Sequence, residues 1–150
     1  MNYWLLKSEP ETYSLDHLKR DKKTPWEGVR NFAARNFMVK MEKGDLCFFY
    51  HSGKNAAIVG LGKVVAKAHP DKTQFGKKGH YFEPRATETK PVWFCVDVGY
   101  VEKFKNPVSL EEIKVDPKLD GMVLRTHGRL SVQPVSEKQF RYIREELSAL

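Results

Sequence analysis

The chain alternates short apolar runs with punctuating turns from end to end. Tyr3 to Lys7 predicts a first strand, stopped at Ser8-Glu9-Pro10 because proline lacks an N–H and restricts the residue before it. Ser14 predicts the N-cap of a helix near 15–20, with Leu15 and Leu18 facing inward and Asp16 in its first turn. Lys22 to Gly28 reads as loop, and a second helix is expected over about 31–38 with Phe32, Ala33, Ala34, Phe37 and Met38 apolar. Leu46 to Tyr50 is continuously apolar and predicts a strand buried on both faces. Ala56 to Lys67 predicts a longer strand, in which Gly60 and Gly62 signal a bulge or sharp bend.

Residues 69–91 are polar and rich in glycine and proline, which reads as a long loop; such loops in compact domains usually carry function. Val92 to Phe104 and Arg129 to Val135 predict strands. Ser109-x-x-Glu112 and Ser136-x-x-Gln139 are capping-box patterns, the second opening a final helix with Phe140, Ile143 and Leu147 on one face. The sum is four or five strands with short helices between them, without the regular alternation of a doubly wound sheet. The expected fold class is α+β, a small, strongly bent mixed β-barrel in one domain spanning 1–150.

Composition sharpens this. The 150 residues are 41% hydrophobic and 30% charged, with a net charge of +7. A chain of this size buries enough surface to need no staple. Cys47 and Cys95 lie in apolar runs, and no CxxC exists, so neither a disulfide scaffold nor a zinc site is expected. The N-terminal segment does not read as a signal peptide and no run is long enough to span a membrane; a reducing cytoplasm is the expectation. The charge is uneven: +3 over 1–60, +4 over 61–90 and zero over 91–150. A basic region beside a balanced remainder fits a polyanion-facing surface or a merely solvated one.

The sequence carries none of the common catalytic or nucleotide-binding signatures. There is no Walker loop, dinucleotide fingerprint, HExxH, GxSxG or deaminase signature, and the histidines at 17, 51, 69, 80 and 127 lack metal-ligand spacing. No metal and no cofactor is expected. What remains is aromatic and basic. Trp4 reads as core, and Trp93 as either core or site. Trp26, in a turn-rich loop, is the candidate for a partly exposed stacking platform; stacking is worth about 1–3 kcal/mol per base.

Several segments occur together and in order: Tyr3 to Pro10 (YWLLKSEP), Trp26 to Asn31 (WEGVRN), Ala34 to Met38 (ARNFM), Gly44-Asp45, Phe49 to Ser52 (FYHS), Ile58 to Gly60 and Gly128 to Val135 (GRLSVQPV). With them the chain resembles an EVE domain. The resemblance implies a PUA-like fold, related to the YTH readers of methylated adenine in RNA. It also implies a nucleic-acid partner, DNA or RNA, carrying a modified base, with 5-methylcytosine or its oxidised forms in DNA foremost. By motif it places Lys7, Ser8 and Glu9 at the mouth of an aromatic pocket, Trp26 as its wall, and Gly28, Val29, Arg30 and Asn31 beside the ligand. It adds Arg35 and Asn36, then Tyr50, His51 and Ser52, then Trp93, and finally Arg129, Leu130, Ser131 and Val132. The family commonly carries tyrosine and glutamine where this chain has Phe32 and Ala33; these two either alter base reading or simply pack inward.

The mechanism expected is a flipped or unpaired base held by stacking and edge hydrogen bonds, with Lys63, Lys67, Lys72, Lys77 and Lys78 on phosphates. Three other readings stand beside it. An ASCH-like hydrolase of a modified nucleoside would use Lys7, Ser8 and Glu9, although the ASCH motif GxKxxExR is absent. A YTH-like module would bind RNA. A plain interaction module would hold a small anion.

Overall fold

The computed structural model describes residues 1–149. Six strands form one sheet: β1 (Tyr3–Ser8), β2 (Lys23–Pro25), β3 (Leu46–His51), β4 (Ala57–Pro70), β5 (Phe94–Ser109) and β6 (Val132–Val135). Their order is β2-β5-β4-β3-β1-β6. Only β1 and β3 run parallel, so the sheet is mixed. Helices α1 (Leu15–Asp21) and α2 (Phe32–Lys40) precede β3; α3 (Leu110–Val115), α4 (Val123–Thr126) and α5 (Glu137–Arg141) follow β5.

The sheet bends because β4 and β5 are long and slip register four times along their length, between Ile58 and Gly60, Leu61 and Gly62, Val64 and Ala66, and Ala66 and His69. Gly60 sits against the Glu102 carbonyl, where a Cβ has no room. The glycine bulges expected from the sequence are therefore present. The form is bent and barrel-like, as expected, but β2 and β6 stay as unpaired edges, so the sheet does not close. The extra strand is β2. Its residues read as loop, but β5 recruits them through Lys23↔Gly99 and Pro25↔Asp97 pairing. Its Pro25, like Pro134 in β6, sits on an edge, where a missing N–H is tolerated.

Both faces of the sheet are buried. Trp4, Leu6, Cys47 and Phe49 point to one side, with Leu15 and Leu18 of α1 and Ala34 and Met38 of α2. Leu5, Phe48 and Tyr50 point to the other, with Ile113, Leu124 and Phe140 of α3, α4 and α5. This two-sided burial is what the unbroken apolar run of β3 predicts. Reciprocal capping boxes open three helices, at Ser14–His17, Ser109–Glu112 and Ser136–Gln139. The last helix does not continue straight: after α5 the chain widens into a π-helical turn over Tyr142–Leu147. The expected strand from Arg129 shortens to Val132–Val135, since Gln133 Nε2 donates to the His127 and Leu130 carbonyls and curls the segment before it.

The polar stretch after β4 is not loose. Asp71 caps a 3₁₀ turn (Lys72–Phe75), and fully buried Gln74 commits its amide to the main chain at both ends of the loop. Its Nε2 donates to the Asp71 and Trp93 carbonyls, and its Oε1 accepts from Val92 N and Trp93 N. The glutamine staples the two ends of the loop together.

Candidate nucleic-acid interface

At the carboxyl end of β1 lies a cleft of about 520 Å³. One wall is Lys7, Ser8 and Glu9 at the end of β1, with Ser131 opposite and Thr12 and Tyr13 beyond. The other wall is the chain leaving β2, from Thr24 through Trp26 to Arg30, and Tyr81 reaches in from the loop. The volume lies within the range of sites that hold small ligands. Of the residues carried over by motif, the structure brings Lys7, Ser8, Glu9, Trp26, Gly28, Val29, Arg30 and Ser131 together here.

Each is held by its neighbours. Lys7 N donates to the Ser131 carbonyl at 2.9 Å, which ties the two strand ends across the cleft mouth. Lys7 Nζ donates to the Gly128 carbonyl and lies 5.5 Å from the centre of the Tyr50 ring; partial burial lowers the pKa of the amine. Ser8 Oγ donates to the Tyr13 carbonyl at 2.6 Å. Trp26 is only 8% exposed, packed edge-on against Phe49 at 5.5 Å and Tyr13 at 6.4 Å. It is thus a core residue that contributes one surface to the cleft, where the sequence predicts a partly exposed ring. Glu27 lines the cleft with no hydrogen-bond partner among the described residues; burial, then the nearby Asp71 charge, pushes its pKa up.

Arg30 organises the far wall. Its guanidinium donates to Asp71 Oδ2 (3.1 Å), Thr73 Oγ1 (3.0 Å) and the Tyr81 carbonyl (2.8 Å). Asp71, whose side chain is 1% exposed, also accepts from Gly28 N at 2.8 Å. Burial works against the Asp71 charge, but hydrogen bonds from Thr73, Gly28 and Arg30 outweigh it and hold the carboxyl below its ordinary range. One carboxylate thus fixes the turn at Gly28 and the root of the loop, and Arg30 clamps Tyr81 in place. Tyr13, Glu27, Asp71 and Tyr81 escape sequence reasoning. Asp71 carried a signal, an aspartate two residues before Thr73 in a cap pattern; Tyr81 carried none.

The other carried-over residues lie outside the cleft lining. Asn31 is the N-cap of α2, accepting from Ala34 N. Arg35 donates to the Val92 carbonyl and, with Asn36, forms an exposed pair on α2. Tyr50 packs in the second core cluster. His51 Nε2 accepts from Leu15 N, and burial lowers its pKa. Ser52 N donates to the Ser8 carbonyl. Val132 is fully buried, Leu130 packs against the first cluster and Arg129 is exposed. Trp93 lies behind Arg30, stacked on Phe32, with its Nε1 on Glu83. Phe32 and Ala33 are both exposed, which overturns the idea that they pack inward; they occupy the outer side of α2's first turn.

Among the five lysines expected on phosphates, Lys63, Lys72, Lys77 and Lys78 are exposed, and Lys67 pairs with Glu42 at 3.2 Å. Among the described residues no group of ligands is placed to hold a metal, and no helix is long and apolar enough to cross a membrane.

One set of residues has the composition of a nucleophile, base and acid: Cys95, His69 and Asp97. Its geometry does not follow. Cys95 Sγ lies almost equally far from both ring nitrogens of His69, 3.9 Å from Nε2 and 4.0 Å from Nδ1, so it is aimed at neither; Asp97 bonds Nε2 at 2.8 Å, and burial pushes the thiol up to about 12. An activated thiol needs the reverse shift.

A bent mixed sheet with short helices and a cleft at its strand ends defines a PUA-like α+β domain. The EVE domain model matches residues 2–146, and the chain belongs to that family. Mouse thymocyte nuclear protein 1 is 42% identical over 162 residues, covering 95% of this chain and 72% of that protein. The structure of human THYN1 in complex with 5-methylcytosine-containing DNA superposes with a TM-score of 0.94 at 38% identity, covering 100% of this chain and 99% of that one. An ASCH protein from Zymomonas mobilis shares the fold alone, with a TM-score of 0.55 at 8% identity.

Proposed function

We propose that the chain is a single, non-catalytic reader domain that takes a modified base of DNA, 5-methylcytosine or an oxidised derivative, into the cleft between Lys7–Glu9 and Trp26–Arg30. The observation that carries this is the likeness, over the full chain, to a human protein solved with 5-methylcytosine-containing DNA. The cleft supports it. Trp26, Tyr13 and Tyr81 supply π surface, and Val29 supplies an apolar face for a methyl group. The free Glu27 carboxylate is suited to accept from the exocyclic amine of a cytosine. A buried methyl is worth about 0.8 kcal/mol, roughly fourfold, so stacking and edge contacts supply most of the affinity. Asn31, Arg35, Asn36, His51, Ser52 and Arg129 then act by shaping the walls or meeting the backbone of the nucleic acid. Lys63, Lys67, Lys72, Lys77 and Lys78 give it phosphate attraction.

The non-catalytic part of the reading has its own support. Ser8 spends its hydroxyl proton on a main-chain carbonyl, Lys7 is engaged by Gly128, and Glu9 is exposed, so the three form no relay. A cytoplasmic site of action stays with this proposal as an expectation of the sequence.

The test is binding to a panel of oligonucleotides, DNA and RNA, plain and modified, at two salt concentrations. Salt-sensitive binding that favours a modified DNA strand is the expected result. Equal affinity for plain and modified strands overturns the reader, preference for RNA favours the YTH-like module, and turnover of a modified nucleoside favours the hydrolase.

A further inference from the structure

The stacked pair Phe32–Trp93 lies outside the cleft, with ring centroids 4.7 Å apart and planes 24° from parallel. Trp93 is 4% exposed and Phe32 47%. Phe32 belongs to neither core cluster, so a large apolar ring stands at the surface where a polar residue would serve the helix as well. Two guanidinium groups frame it, Arg35 at 4.7 Å and Arg85 at 6.0 Å from the ring centre. Neither floats: Arg35 is held by the Val92 carbonyl at 2.8 Å and Arg85 by Glu83 at 3.0 Å. A half-exposed ring backed by Trp93, with two fixed cations within 6.0 Å of its centre, has the composition of a stacking site for an unpaired base and its phosphate.

The ring also continues the cleft. Arg30 lies 5.2 Å from the Tyr81 ring, which lines the cleft, and 5.3 Å from the Trp93 ring, which backs Phe32. One guanidinium therefore separates the two surfaces. A base drawn into the cleft leaves its neighbour in the strand without a stacking partner, and an exposed aromatic beside the cleft replaces it.

We propose that Phe32, framed by Arg35 and Arg85, is a second stacking site that takes the base adjoining the one in the cleft. It rests on the reading that the cleft takes a base. A phenyl face offers no donor or acceptor, so this site is indifferent to which base it holds and adds affinity without specificity.

The experiment measures binding of a short DNA single strand with one 5-methylcytosine, and of the same strand with abasic sites on both sides of it. The proteins are the parent, Phe32→Ala and Phe32→Tyr. Phe32→Ala should weaken binding of the intact strand by about five- to 150-fold, and Phe32→Tyr should bind like the parent. Against the abasic strand all three should bind alike. An alanine variant that matches the parent on the intact strand, or loses the same factor on both strands, overturns the second site and leaves the cleft reading standing. A parent that binds neither strand overturns both. Phe32→Leu keeps the apolar area without the π-face, so if the alanine variant does not fold, its losses are read in the same way.

Discussion

Tyr81 lies so close over Gly28 that a Cβ on the glycine would stand 2.8 Å from the tyrosine Cζ. Gly28 also holds φ at +86°, the left-handed region that side chains resist. Two independent constraints thus meet at one backbone atom, between the Trp26 wall and the loop that overhangs it.

Gly28→Ala should therefore destabilise the protein by about 1–2 kcal/mol from the backbone alone and push Tyr81 off the cleft. Removing the obstacle in a Gly28→Ala/Tyr81→Ala double variant should recover the steric part and leave the conformational part. Thermal melts of the single and double variants, run beside oligonucleotide binding, separate the two.

The loop should come loose in acid. Asp71 is harder to protonate in the fold than in the open chain, and Glu83, held by Arg85 and the Trp93 indole, sits at about 2 against an ordinary 4.5. Carboxylates shifted downward stabilise the fold fully above their ordinary pKa and lose that contribution as pH falls through the folded value. Hydrogen exchange in residues 71–93 should accelerate as pH drops from about 4.5 to about 2, once corrected for intrinsic rates. Asp71→Asn should flatten that acid limb.

Arg30→Met strands the buried Asp71 carboxylate and should cost about 3 kcal/mol, the low end of the range for breaking a buried pair because Arg30 reaches solvent. Arg30→Lys should not rescue it, since a single ammonium cannot serve Asp71, Thr73 and Tyr81 together. Denaturant melts of the two variants check this.

Trp26→Ala should remove about 3–5 kcal/mol of stability, because the ring is core as well as wall. Loss of binding in that variant is then uninformative on its own. Trp26→Phe keeps much of the packing and should fold; a drop in affinity without a matching drop in melting temperature assigns Trp26 to the ligand.

Both thiols should be inert. Burial pushes Cys47 and Cys95 upward, Cys95 to about 12, so a thiol reagent at neutral pH should label neither until the protein is denatured. Rapid labelling of Cys95 in the native state would contradict the geometry of the His69–Asp97 pair.

The sequence made some of this legible and hid the rest for physical reasons. The apolar run of β3, the glycines of β4 and the capping boxes are local signals, and each marks the element it predicts. The strand β2 has no signal of its own; β5 imposes it on Lys23–Pro25 from 70 residues or more away along the chain. At the cleft, motif resemblance named residues near Trp26 and at the end of β1 that the fold brings side by side. It could not separate those that touch the cavity from those that hold others in place. Asn31 and Trp93 look alike to a motif, yet one is a helix cap and the other the back of a surface ring. Tyr81 was invisible because a guanidinium 51 positions earlier in the chain sets its place.

The sheet separates two interiors, and their duties differ. Trp26, Tyr13, Val29 and Leu130 all rest on the interior beneath α1 and α2, so a change there alters what the cleft can hold. The interior beneath α3, α4 and α5 lies on the opposite side of the sheet. The two compartments still meet at Lys7, which lines the cleft while its ammonium stands 5.5 Å from the Tyr50 ring of the second interior, so a change that loosens either one reaches the cleft mouth.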